Sequence, residues 1–107
     1  MMINESTVSE VLEALKSDNT FFLDVRNPDE YEEIHATGTH LLPLPELDEQ
    51  SITALNLGKE TSIYIICRSG ARSMKACQIF NDLGYTDLTN VEGGTIAWHQ
   101  AGLPVEN

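Results

Sequence analysis

The chain has 107 residues, 41% of them hydrophobic and 21% charged, with a formal net charge of −11. That length suits one domain with its own core, so residues 1–107 are read as a single domain. Such acidity argues against nucleic acid or an anionic membrane surface as partner, and no apolar run approaches the roughly 20 residues of a membrane span. The opening MMINESTVSE lacks a basic-then-apolar leader pattern, and two cysteines do not make a disulfide framework. Reduced thiols in a cytoplasmic protein are therefore expected. The acid is uneven, with thirteen of the seventeen carboxylates in residues 1–60, a surface suited to docking a basic partner.

Thr7–Val8–Ser9–Glu10 has the form of a capping box, and Val8, Val11, Leu12 and Leu15 follow at helical spacing. Residues 21–25 are a compact apolar run and read as a strand. Asn27–Pro28–Asp29–Glu30 starts a short second helix that ends before Gly38. Residues 41–44 suit a short strand, confined to an edge by Pro43. Residues 46–57 read as a weaker helix, and 62–67 as the strongest strand. A helix over 72–83 would bury Ala76, Cys77, Ile79, Phe80 and Leu83 and stop at Gly84. Residues 86–91 form a last strand, followed by a Gly93–Gly94 turn and a short helix carrying Trp98, which reads as core. Strands that alternate with helices imply an α/β fold: a small, mostly parallel sheet with helices on both faces. Ligands bind such sheets beyond the carboxyl ends of the strands. The segments 24–26, the loop at Cys67 and 91–94 all leave strands at that end.

The loop is CRSGARS, residues 67–73, and it holds two of the chain's three arginines. Cys67 ends a strand and the loop runs into a helix N-terminus, where free N–H groups and the helix dipole favour negative charge. Arg68 and Arg72 add full positive charges. Gly70 permits a backbone with φ > 0, so successive N–H groups can turn inward as an anion nest, and Ser69 and Ser73 can donate from their hydroxyls. Each of these stabilises a thiolate. A free cysteine is only a few per cent ionised near neutral pH, and a downward shift of about two units, worth about 2.7 kcal/mol, makes the thiolate the major form. The loop therefore suits a nucleophilic thiolate attacking something anionic.

No second nucleophile system competes, and His35, His40 and His99 are not spaced as a metal motif with the cysteines. No metal is expected. His35 follows the helix after Asp24–Arg26 and could approach the site. Cys77 reads as a small core residue. Asp24 and Arg26 suit an ion pair bracing the loop.

With these residues in hand, the chain resembles a single-domain rhodanese, a sulfurtransferase. LDVRNPDEYEEIHATGTHLLPL (23–44) is similar to the family's amino-terminal signature, CRSGARS has the form of its active loop, and NVEGGTIAWHQAGLPVE (90–106) matches its carboxyl-terminal signature. Departures at Ile34, Thr37, Thr39 and Leu41 affect a connecting loop more than the cysteine site. The resemblance implies that Cys67 attacks the outer sulfur of a small anionic donor such as thiosulfate and carries it as a persulfide to a thiol, cyanide or protein acceptor. It implies no metal and no organic cofactor. Arg68 and Arg72 stand where the family's thiosulfate users carry basic residues. Ser69, Gly70, Ala71 and Ser73 would complete the anion nest, with Asp24 and Arg26 supporting it. Two other readings stand beside this one. One is a persulfide carrier or regulatory module loaded by a protein partner. The other is a cysteine phosphatase or arsenate reductase, for which the loop is one residue short.

Overall fold

The computed structural model describes residues 3–107. Its frame is a five-stranded, wholly parallel sheet built from β1 (Ile3–Ser6), β2 (Thr20–Asp24), β4 (His40–Leu41), β5 (Ser62–Ile66) and β6 (Leu88–Val91), in the order β1-β6-β5-β2-β4. The helices are α1 (Val8–Ala14), α2 (Pro28–Glu33), α3 (Glu49–Thr53), α4 (Ala71–Asp82) and α5 (Gly94–Gln100). A two-stranded antiparallel ribbon joins β3 (His35–Ala36) to β7 (Val105–Glu106). Among the described residues no helix is long and apolar enough to cross a membrane.

Side-chain alternation along β5 divides the core. Ile63 and Ile65 pack with Leu23, Ile52, Ala76 and Phe80 on the α3/α4 face. Tyr64 and Ile66 pack with Phe22, Val8, Val11 and Trp98 on the α1/α5 face. A strand buried on both faces reads as a continuous apolar run, which is why 62–67 stood out. The expected sheet with helices on both faces is present. Trp98 is fully buried, as expected, and its indole N–H donates to Pro104 O at 2.8 Å.

The local signals acted where expected. The Thr7/Glu10 capping box is formed, with bonds of 2.8 and 3.2 Å, and Pro28 opens α2. β4 is an edge strand, shorter than the 41–44 expected. Other boundaries moved for local reasons. The helix expected over 46–57 is a 3-10 turn (Leu44–Glu46) followed by α3, because Asp48 and Ser51 cap each other and start the helix there. Asn56, with φ at +57°, ends the segment. The strand expected from residue 86 begins at Leu88.

Candidate active site

Parallel strands bring their carboxyl ends to one edge of the sheet, and that edge carries Asp24, Cys67 and the turn after Val91. Cys67 directly follows β5 and is 1% exposed. Gly70, with φ at +116°, then reverses the chain into α4. Only glycine takes that backbone without strain, and it points the first N–H groups of the helix back toward the sulfur. The Gly70 N–H donates to Cys67 Sγ at 3.0 Å, and the Ser73 hydroxyl lies 3.2 Å from the same atom.

Burial alone pushes the Cys67 thiol up, since a thiolate is costly away from water. The Ser73 hydroxyl, then the N–H groups of Ser73, Gly70 and Ser69, outweigh that effect, and the net shift is downward. The donors act on sulfur directly, while the arginines stand further out. Cys77, one helical turn beyond Ser73, shows the opposite case. It is fully buried, and burial first, then the charges of Cys67 and Glu5, push its thiol up to about 12. It is a core residue, as expected.

Removing the Ser73 hydroxyl tests this balance. In Ser73→Ala the burial penalty stays and the main opposing donor is lost, so the Cys67 pKa rises. At neutral pH the thiolate fraction falls, and alkylation by iodoacetamide slows several-fold. A pH profile of that rate should shift to higher pH; an unmoved profile would show that the backbone donors suffice.

The loop is also held from behind. The Thr95 N–H and hydroxyl donate to Cys67 O at 2.8 and 3.0 Å, and the Ile96 N–H donates to Arg68 O at 3.2 Å. The N-terminus of α5 thus caps the carbonyls of the cysteine loop. Gly94 makes this approach feasible, because a Cβ there would lie 2.5 Å from both Cys67 O and Arg68 O, and φ is +58°. We expect Gly94→Ala to cost about 1–2 kcal/mol for the left-handed backbone alone, with the clash added. Pushing the loop by about 1 Å should slow its chemistry on the order of 100-fold. Thermal unfolding and thiol alkylation rates read the two effects separately.

Asp24 and Arg26 form the expected pair. The carboxylate is fully buried and Arg26 is 4% exposed. Arg26 donates from its backbone N–H to Asp24 Oδ1 at 2.9 Å, from Nε to both carboxylate oxygens at 3.1 Å, and from Nη2 to Oδ2 at 2.9 Å. Nη2 also donates to Ile34 O at 2.7 Å, tying the end of α2 to this edge. Arg26, Glu30, Glu33, Arg68, Thr95 and His99 help to line a cavity of about 370 Å³ beside the loop.

The two loop arginines are placed differently. Arg68 is exposed and lines the cavity. Arg72 is held by Glu30, with Nη1 donating to Oε1 at 2.7 Å and Nη2 to Oε2 at 2.9 Å. His35 is engaged elsewhere: its ring stacks on Tyr31, Nδ1 lies 2.7 Å from Tyr31 O, and Nε2 lies 3.4 Å from Glu106. His99, not His35, is the histidine on the cavity wall.

Three residues at the site escaped the sequence reading. Glu30 stood in a helix start and in the amino-terminal signature, without a role of its own. Thr95 stood in the carboxyl-terminal signature beside the Gly93–Gly94 turn, likewise without a role. Asn90 looked like a strand residue; its Nδ2 donates to Gly70 O at 3.2 Å and to Glu5 Oε2 at 3.1 Å, and its Oδ1 meets the Ser73 hydroxyl.

The chain is similar to known proteins in sequence and in fold. The model of the rhodanese-like domain matches residues 7–101. A sulfurtransferase of Allochromatium vinosum is 31% identical over 97% of this chain and 95% of its own length. A putative sulfur carrier protein of Bacillus subtilis, YrkF, is 38% identical over 89% of this chain and 53% of its own length. The chain thus spans about half the length of some curated relatives that it matches. The solution structure of a rhodanese-like domain from Anabaena superposes with a TM-score of 0.86, covering 99% of this chain and 80% of that one; at 23% identity this is a likeness of fold. By motif, topology and family match, the chain belongs to the rhodanese-like family.

Proposed function

We propose that this protein is a sulfurtransferase that moves a sulfane sulfur from an anionic donor such as thiosulfate to a thiophilic acceptor through a persulfide on Cys67. The observation that carries the reading is the sulfur atom itself, which accepts from the Gly70 N–H at 3.0 Å and lies 3.2 Å from the Ser73 hydroxyl at the N-terminus of a twelve-residue helix. That setting favours a thiolate and, one bond further out, a persulfide anion.

The thiolate attacks the outer sulfur of thiosulfate. The S–S bond of the donor breaks, sulfite leaves with the bonding pair, and a Cys67–S–S⁻ persulfide remains. An acceptor thiolate or cyanide then attacks the outer sulfur and regenerates the Cys67 thiolate, a ping-pong sequence that leaves the redox balance of the protein unchanged. Arg68 attracts the donor, Arg72 adds charge at the loop's far end, and Ser69, Gly70, Ala71 and Ser73 hold the outer sulfur. Asp24 and Arg26 keep the edge rigid.

Intact mass after incubation with thiosulfate tests this. Wild type should gain one sulfur atom that cyanide or dithiothreitol removes, and Cys67→Ser should gain none. No gain on folded wild type would count against thiosulfate as donor. A carrier reading draws on the likeness to YrkF and shares every site residue. It expects the persulfide to form readily but to turn over slowly with small acceptors.

A further inference from the structure

Two guanidinium groups, those of Arg26 and Arg68, line the cavity beside the cysteine loop, and a third belongs to Arg72 at the start of α4; two of the three are already occupied. Arg26 is bound by the buried Asp24. Arg72 is gripped by both oxygens of Glu30 at 2.7 and 2.9 Å. The Arg68 side chain makes no ion pair among the described residues. Glu33 lines the same cavity as Arg68 and Glu30. Arg26, Arg68 and Arg72 are therefore balanced by Asp24, Glu30 and Glu33. A mouth without net positive charge is poorly matched to a dianion.

We propose that Glu30 sets donor specificity: by holding the Arg72 guanidinium in a two-pronged ion pair, it leaves Arg68, among the described residues, as the one arginine without an ion pair and tunes the site to sulfane donors carrying one negative charge over thiosulfate, which carries two. This rests on the sulfur-transfer reading. Glu30 is fixed for the role. Its Oε1 also accepts from the Asn27 N–H at 3.0 Å, so the first turn of α2 locks the carboxylate in place. The Arg72 hydrogen bond is the largest cause that holds the Glu30 carboxyl down at about 2, and the group stays ionised throughout the neutral range. The Arg72 pKa is raised first by the Glu30 hydrogen bond and, further down, by the charge of Cys67, so Arg72 lies within electrostatic reach of the sulfur. Released from Glu30, it would face the incoming donor.

Two donors separate charge from chemistry. Thiosulfate gives up its outer sulfur with sulfite leaving. The methanethiosulfonate anion, CH₃SO₂S⁻, gives up the same kind of sulfur by the same S–S cleavage with methanesulfinate leaving. They present a similar reacting bond and differ by one negative charge. Glu30→Gln keeps an oxygen for the Asn27 N–H and removes the charge. The expected result is a fall in the thiosulfate KM of about three- to tenfold, the scale of one screened ion pair near a protein surface. The methanethiosulfonate KM should move less than about twofold, and kcat should change little for either donor. The gain with thiosulfate should shrink as salt is raised. Glu30→Asp, which keeps the charge, should leave the thiosulfate KM at or above the wild-type value. Thermal unfolding of both variants checks that the fold is kept.

An equal change for both donors, or a rise in the thiosulfate KM of Glu30→Gln above that for methanethiosulfonate, would overturn the proposal and make Glu30 a purely structural brace. If wild type takes sulfur from neither donor, the transfer reading falls and the specificity assignment falls with it.

Discussion

Cys67→Ser is expected to take up no sulfur from thiosulfate and to lose turnover by at least about a thousandfold, as removal of a catalytic nucleophile commonly does. A serine hydroxyl is scarcely ionised at neutral pH, and an oxygen in place of Sγ cannot form the S–S bond on which the second half-reaction depends. The change is nearly isosteric at a buried position, and a hydroxyl can still accept from the Gly70 N–H and meet Ser73. The variant should therefore unfold at close to the wild-type temperature. That pairing of lost chemistry with retained stability is the diagnostic result. Cys77 provides the internal control. It is fully buried and its thiol is pushed up to about 12, so it should stay unmodified in both proteins. Sulfur found on Cys67→Ser would place the carrier atom on Cys77 and refute the assignment.

The second large effect is on stability. Asp24→Ala should destabilise the fold by about 3–5 kcal/mol, the range for removing one partner of a buried ion pair. For a chain of this size that is a fall in Tm of roughly 15 °C or more. The cost comes less from the attraction that is lost than from the Arg26 guanidinium left buried, with only Ile34 O to accept from it. Arg26 also lines the cavity beside the loop, so surviving folded protein should load sulfur more slowly. Differential scanning calorimetry reads the first effect and the rate of mass gain reads the second. A loss below about 1 kcal/mol would mean that water reaches Arg26 and that the pair braces little.

The cysteine loop was legible because its determinants are local. An apolar run, a cysteine, a glycine and a helix within a few residues are enough to place a thiol at a helix N-terminus. The parallel sheet was legible from the alternation of strands and helices, and the two faces of β5 follow from its continuous apolar run. β1 was not legible. INES is mostly polar and becomes a strand only by pairing with β6, where Ile3 meets Leu88 and Ser6 meets Val91. The β3–β7 ribbon was missed for the same reason, since His35–Ala36 has no strand signal apart from its partner Val105–Glu106. The ties that complete the site are longer still. Arg72 and Glu30 are 42 residues apart, and Asn90 and Glu5 are 85 apart. Nothing in the pattern around Arg72 indicates that a carboxylate will claim it. That requires α2 and α4 to meet across the end of the sheet.

The position of β6 has a consequence for how the chain is made. It lies between β1 and β5, yet it is the last of the five sheet strands to be synthesised. Until residues 88–91 emerge, the oldest strand has no neighbour to join, and Asn90 is absent from Gly70 and Ser73. Until Thr95 and Ile96 follow, nothing grips the carbonyls of Cys67 and Arg68. At synthesis rates of about 5–20 residues per second, Cys67 is outside the site it will occupy for a few seconds. During that interval it is an ordinary thiol, mostly protonated and slow to react. The thiolate-favouring setting of Cys67 is thus assembled only as the fold is completed, and a chain that stops before Thr95 and Ile96 lacks it.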